Sequence, residues 1–160
     1  MTSKHRPVEE LLKQKKIYEI INPRLIQAPP DISVKRAVEY MQENKSGYIV
    51  VAKDKKVVGM FTETDVVRNI LEQNVDWSRP ISDFMTKVPV VLSPKDSVGK
   101  AIELMGEKRF YHIPLVDEKN ELTGVLSVRT LIRFLAEFYP TEVYNLPPDP
   151  NQIMPSREGG

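Results

Sequence analysis

The chain has 160 residues, 41% hydrophobic and 28% charged, with 23 basic against 22 acidic side chains and a net charge of +1. That balance creates no field to recruit nucleic acid or an anionic membrane, and the length suits one domain or two small ones packed as a unit. Without cysteine, and with only His5 and His112, it excludes disulfides, thiolate zinc sites and a cysteine nucleophile, and no histidine-built metal centre is expected.

From the N-terminus, Met1 to Pro7 lacks the apolar centre of a secretory signal, and no later apolar run approaches the roughly 18–20 residues that span a bilayer. A cytoplasmic protein is expected. Val8, Leu11, Leu12 and Lys15 lie at helical spacing after Pro7 and predict a short amphipathic helix, the N-terminal segment 1–15. From there the chain repeats itself. Pro30-Asp31-Ile32-Ser33-Val34, Ala37, Met41 and Ile49 recur as Pro94-Lys95-Asp96-Ser97-Val98, Ala101, Met105 and Ile113, displaced by 64 positions. After one inserted residue, Gly59-Met60-Phe61-Thr62 recurs as Gly124-Val125-Leu126-Ser127, displaced by 65. A fixed-period repeat shows one supersecondary unit built twice, and clefts favour the seam between such units.

Each copy follows one plan. A short extended segment (Leu25 to Ala28; Val88 to Leu92) leads to a Ser-Val helix start. The helix carries Val34, Ala37, Val38, Met41 or Val98, Ala101, Ile102, Met105 on one face of period 3.6, with Asp31 or Ser33 and Asp96 or Ser97 as caps. Two strands follow around a polar hairpin: Tyr48 to Ala52 and Val57 to Phe61, then His112 to Val116 and Leu122 to Leu126. A second helix closes each copy, Thr64 to Gln73 and Val128 to Phe138. The expected fold is α+β: two βαββα repeats, 16–76 and 77–139, packed about a pseudo-twofold axis. Asn74 to Pro80 reads as linker, with Trp77 against the seam, and residues 140–160, holding five prolines, as an extended tail.

The most specific local feature is Gly59-Met60-Phe61-Thr62-Glu63-Thr64-Asp65-Val66-Val67-Arg68. An apolar strand runs into a hydroxyl, and an aspartate follows at a helix start. A carboxylate there can accept two hydrogen bonds from a ribose diol, and the helix start and Arg68 suit a phosphate. The same residues equally read as a cap, with Thr62 or Thr64 closing the first turn and Asp65 suiting it. The second copy keeps the hydroxyl as Ser127 but has Thr130 in place of the aspartate, so the two crevices are expected to be unequal. Arg109-Phe110-Tyr111-His112 offers cations and rings for a phosphate and a purine face, or simply a half-buried strand start. No Ser-His-Asp set, HExxH or phosphate-binding GxxxxGK[ST] loop is present.

With these motifs, their order and their duplication, residues 16 to 139 resemble the cystathionine-β-synthase (CBS) domain, and the tandem resembles a stand-alone Bateman module. The resemblance implies a regulatory, non-enzymatic role with an adenosine ligand: AMP, ADP or ATP, with S-adenosylmethionine, NAD or a cyclic dinucleotide as other members of the class. It implies a homodimer and an effector protein, with no catalytic cofactor or metal, no nucleic acid and no membrane. Carried over by position, the main cleft takes Met60, Phe61, Thr62, Thr64, Asp65 and Arg68, with Thr62 and Asp65 on the ribose. Val90 lines the base, Tyr111 and His112 approach base and phosphate, and Arg129 holds the phosphate. The weaker cleft takes Ile26, Tyr48, Ser127, Thr130 and Arg133. The alternative is a structural interaction module with vestigial clefts and a docking tail.

Overall fold

The computed structural model describes residues 6–144 except 23, 88 and 89. Helix α1 (Arg6–Gln14) begins two residues before the expected start and is followed by a 3-10 turn, Ile17–Glu19. The first repeat then runs β1 (Gln27–Ala28), α2 (Val34–Glu43), β2 (Tyr48–Lys53), β3 (Lys56–Thr62) and α3 (Glu63–Asp65). A second 3-10 turn, Ile81–Asp83, precedes the second repeat: α4 (Val98–Lys108), β4 (His112–Val116), β5 (Leu122–Ser127) and α5 (Val128–Tyr144). This is the expected βαββα order, twice. Among the described residues of the second copy the opening strand is represented by a parallel bridge, Leu92 to Leu115, where the first has β1 parallel to β2; residues 88 and 89 of the expected strand lie outside the described residues.

Local chemistry explains the elements. Ser33 and Ser97 cap α2 and α4 by accepting from the Arg36 and Lys100 N–H groups, both at 3.1 Å. Asp54 and Lys55, both at positive φ, close the β2–β3 hairpin in two residues, as a primed turn requires. Two expectations change. The helix predicted over Thr64 to Gln73 is α for one turn and π-wound from Val66 to Leu71. Helix α5 extends through Tyr144, five residues into the stretch read as an extended tail; residues 145–160 lie outside the described residues.

The two repeats exchange backbone hydrogen bonds across the expected division at 76/77. The Ile17 N–H donates to the Asp96 carbonyl (3.0 Å), Tyr18 to Pro94 (2.9 Å), and Val98 back to Lys15 (2.8 Å). At the same offset of 64, Ile81 donates to Ile32 (2.9 Å), Ser82 to Pro30 (3.1 Å), and Val34 to Arg79 (2.9 Å). Each repeat's lead-in therefore docks on the helix start of the other. Ile17 is fully buried in the core of the second repeat, with Leu92, Val98, Ile113 and Leu126, and Ile81 in that of the first, with Val34, Ile49, Phe61 and Ile70. Truncating either to alanine should cost about 2–5 kcal/mol. Trp77, placed at the seam from the sequence, is instead 37% exposed, and its carbonyl accepts from the Lys35 N–H at the start of α2.

Between the sheets, Val50, Met60 and Val125 form a third buried cluster, flanked by Leu25, Tyr48, Val57 and Leu122. At one end of this seam the Tyr48 and His112 rings, equivalent by the repeat, lie 4.6 Å apart between centroids. Burial holds His112 down from 6.5 to about 4, so it is neutral at pH 7, and raises Tyr48. The unfolded chain takes up the imidazole proton first as pH falls. The stability contributed by neutral His112 is therefore full above pH 6.5 and should be lost progressively towards pH 4. Urea unfolding across that range should show His112→Phe with a shallower acid decline than wild type.

Gly59 and Gly124 are equivalent yet differently crowded. A Cβ on Gly59 would meet Met85 Sδ at 2.7 Å and the Thr86 carbonyl oxygen at 2.8 Å, whereas one on Gly124 finds only Leu115 and Ile21 methyls beyond 3.6 Å. Gly59→Ala should destabilise by about 1–3 kcal/mol through this overlap, and Gly124→Ala should be neutral or slightly stabilising. Chemical denaturation of the two variants checks the contrast.

Candidate functional site

Strand β3 ends at Thr62, paired with Tyr48, and β5 ends at Ser127, paired with His112. The ring contact between Tyr48 and His112 therefore gathers the ends of both sheets at one place. Tyr48 and His112, assigned to different crevices from the sequence, share one wall. Strand alternation then sorts the candidates. Met60 faces the seam cluster, while Phe61 points the other way, fully buried in the first repeat's core. Phe61 therefore offers a crevice only its backbone. Ile26 is likewise a core side chain, 4% exposed, and its carbonyl receives the Val50 N–H at 2.9 Å.

At the β3–α3 junction, Thr62 rather than Thr64 is the cap: its Oγ1 accepts from the Asp65 N–H at 3.4 Å. Asp65 completes a capping box, with Oδ2 accepting from the Thr62 N–H (2.9 Å) and hydroxyl (3.1 Å). Its other oxygen, Oδ1, accepts from Asn69 Nδ2 (3.2 Å) and the Thr86 hydroxyl (3.0 Å). Four donors thus fill the roughly four lone-pair positions of a carboxylate. All four are neutral. Arg68 is exposed and makes no ion pair with Asp65, and Thr64 is exposed too. Among the described residues Asp65 is the one buried polar or charged side chain, 5% exposed.

The second repeat provides an internal control. Ser127 Oγ accepts from the Thr130 N–H (3.2 Å) and lies 3.1 Å from the Thr130 hydroxyl. The cap forms there without a carboxylate. Arg129 and Arg133, at the start of α5, are exposed, as is Tyr111 at 63%; Val90 is half-buried. Arg109 closes α4 in the left-handed conformation (φ 55°), exposed to solvent.

Asn69 and Thr86 were not among the residues singled out from the sequence. Asn69 had a local signal, one helical turn beyond Asp65. Thr86 had none: it reaches Asp65 because its N–H and C=O bridge Met60 (2.9 and 2.8 Å), beside Gly59. An open groove of about 500 Å³ lies beyond, lined by Asn69, Gln73, Val75, Arg79, Asp83, Phe84 and Met85. It contains none of the predicted residues and communicates with Asp65 through Asn69. Among the described residues no acidic, histidine or cysteine group forms a metal-binding cluster, and no helix is long and apolar enough to cross a membrane.

Comparison with known proteins gives the family. Inosine-5'-monophosphate dehydrogenase of Aquifex aeolicus (strain VF5) is 31% identical over 132 residues, 80% of this chain and 26% of that enzyme. The chain thus spans about a quarter of that relative. An uncharacterized conserved protein from Pyrococcus horikoshii has a crystal structure similar to this fold, with a TM-score of 0.71 and 25% identity, covering 77% of this chain and 93% of that one. The structure of CBSX2 in complex with AMP gives a TM-score of 0.67 and 25% identity, covering 78% and 98%. The CBS domain matches residues 17–72 and 81–137, and with the reciprocal packing described above the chain belongs to the CBS-domain family as a tandem pair.

Proposed function

We propose that this chain is a regulatory module of the cytoplasm that binds an adenosine nucleotide at the Asp65 side of the seam and passes its occupancy to a partner protein. The observation that carries the proposal is Asp65 itself. The equivalent cap in the second repeat closes with Ser127 on the Thr130 N–H, so the helix start itself does not require a carboxylate. Burial of a charge without a cation is costly, and such groups concentrate at functional sites. A carboxylate matches the diol of a ribose, and similarity to a CBS pair crystallised with AMP points to the same ligand class. In this reading Thr62 and Asp65 hold the ribose, and Val90, Tyr111 and neutral His112 border the base. Arg129 is the cation for the phosphate. The crevice of Ser127, Thr130, Tyr48 and Arg133 binds weakly or stays empty. Ligand binding and signalling, not catalysis, are its business.

The closed state of Asp65 favours one competing reading, a structural module whose cleft is vestigial. A thermal-shift screen with AMP, ADP, ATP, NAD, S-adenosylmethionine and cyclic di-AMP separates the two. At least one ligand should raise Tm, since a ligand at 100 times its Kd stabilises the folded state by about 2.7 kcal/mol. Asp65→Asn, which keeps the shape, should abolish the rise, and Thr130→Ala should leave it. No shift at millimolar concentration returns the structural module.

The module is proposed to act as a homodimer. Val67 (50% exposed) and Ile132 (60%) are equivalent positions on the closing helices, and Leu71 (57%) follows one turn after Val67. A second copy covering these side chains would remove apolar surface from water. Light scattering should find a dimer for wild type and a monomer for the Val67→Lys, Ile132→Lys double variant.

A further inference from the structure

The four donors on Asp65 are not equally able to leave. Two belong to Thr62, whose N–H is main chain and whose hydroxyl is tied in place because its oxygen accepts the Asp65 N–H. The Asn69 amide is stretched between two acceptors, Asp65 Oδ1 at 3.2 Å and the Phe84 carbonyl at 3.1 Å. The Thr86 hydroxyl donates to Oδ1 at 3.0 Å, and its residue is exposed while Asp65 is 5% exposed. Rotation about one side-chain bond frees it, with its backbone still pinned to Met60. Of the three residues that donate to Asp65, Thr86 is thus the exposed one, while Thr62 and Asn69 are half-buried.

Resting on the ribose reading of Asp65, we propose that Thr86 is an internal competitor for the nucleotide. Its hydroxyl occupies the acceptor position that a ribose hydroxyl takes, and the ligand binds by exchanging one O–H donor for another. The exchange keeps the buried carboxylate satisfied in both states, which avoids the cost of an unpaired charge. It also sets affinity, because the ligand gains only the difference between two similar hydrogen bonds. The second repeat has no counterpart. Asn22, 64 positions before Thr86, turns its side-chain oxygen to the Arg24 N–H at 3.1 Å, and Thr130 partners Ser127. Competitor and carboxylate occur together, on one side of the seam. Since Thr86 belongs to the second repeat and Asp65 to the first, its release gives this contact between the repeats two states tied to occupancy.

The test is calorimetric titration of AMP into the full chain and its Thr86 variants. Thr86→Ala should bind AMP about tenfold more tightly than wild type, because the ligand no longer displaces a donor from a charged group, while the ligand-free Tm falls. Thr86→Ser should restore both values towards wild type. With 2',3'-dideoxy-AMP the gain should vanish, as no ribose hydroxyl takes the vacated position. Binding by Thr86→Ala where wild type shows none also supports the competitor. A merely structural Thr86 would weaken AMP binding on substitution. Unchanged or weaker binding by Thr86→Ala, with wild type binding, overturns the competitor and leaves the ribose reading standing. An equal gain with the dideoxy nucleotide overturns it as well. If neither wild type nor Thr86→Ala binds AMP or S-adenosylmethionine at millimolar concentration, the ribose reading falls and the competitor with it.

Discussion

Val34 and Val98 each begin a helix whose first N–H finds its acceptor on the other repeat's lead-in, Arg79 for one and Lys15 for the other. A helix start has N–H groups with no partner inside the helix, and a buried start must find one elsewhere. Here each repeat supplies what the other lacks, and an isoleucine accompanies each exchange, Ile81 into one core and Ile17 into the other. Neither core is complete without chain from beyond its own repeat. The seam, the shared wall of Tyr48 and His112, and the approach of Thr86 to Asp65 all depend on that reciprocity. In the proposed reading, this reciprocity is what would let a ligand that shifts one lead-in act on both cores.

Duplication also allows function to be separated from folding. Positions 62 and 65 in one copy, 127 and 130 in the other, solve the same capping problem with different side chains. Ser127 makes a cap on the Thr130 N–H that needs no carboxylate. Asp65 completes the capping box of Thr62 through Oδ2 and leaves Oδ1 to be filled by Asn69 and Thr86. The energetic burden of a buried carboxylate thus falls on one half alone. Its four neutral donors stabilise it without a cation, so an incoming hydroxyl can replace one of them on equal chemical terms. A cation at that place would have held the carboxylate far more tightly.

The clash that alanine would make at Gly59, against Met85 and the Thr86 carbonyl, shows how close the second repeat's lead-in lies to β3. At Gly124 the equivalent residue, Ile21, stays 3.8 Å away. The crowding at Gly59, the buried Asp65 and the Thr86 hydroxyl lie on the same side of the pseudo-twofold, where the closing helix is π-wound rather than the long α-helix of the second copy. Departures from regular helix of this kind recur at functional positions.

Much of this was legible in one dimension. The 64-residue displacement, the apolar faces of α2 and α4, the Ser33 and Ser97 caps and the hairpin tips are local patterns, and local patterns dictate local structure. Asp65 was legible as a hydroxyl–aspartate pair at a strand end, though equally as a cap. What the linear chain could not disclose were Thr86 on Asp65, the burial of Phe61 and Ile26 away from the crevice, and the crossing of Ile17 and Ile81. By itself the sequence determined the repeated unit, its elements and the one repeat that carries the acid. Only the tertiary structure decided which side chains meet, because a contact such as that of Thr86 on Asp65, 21 positions apart, follows from how sheets pack and strands alternate, and no local pattern encodes it.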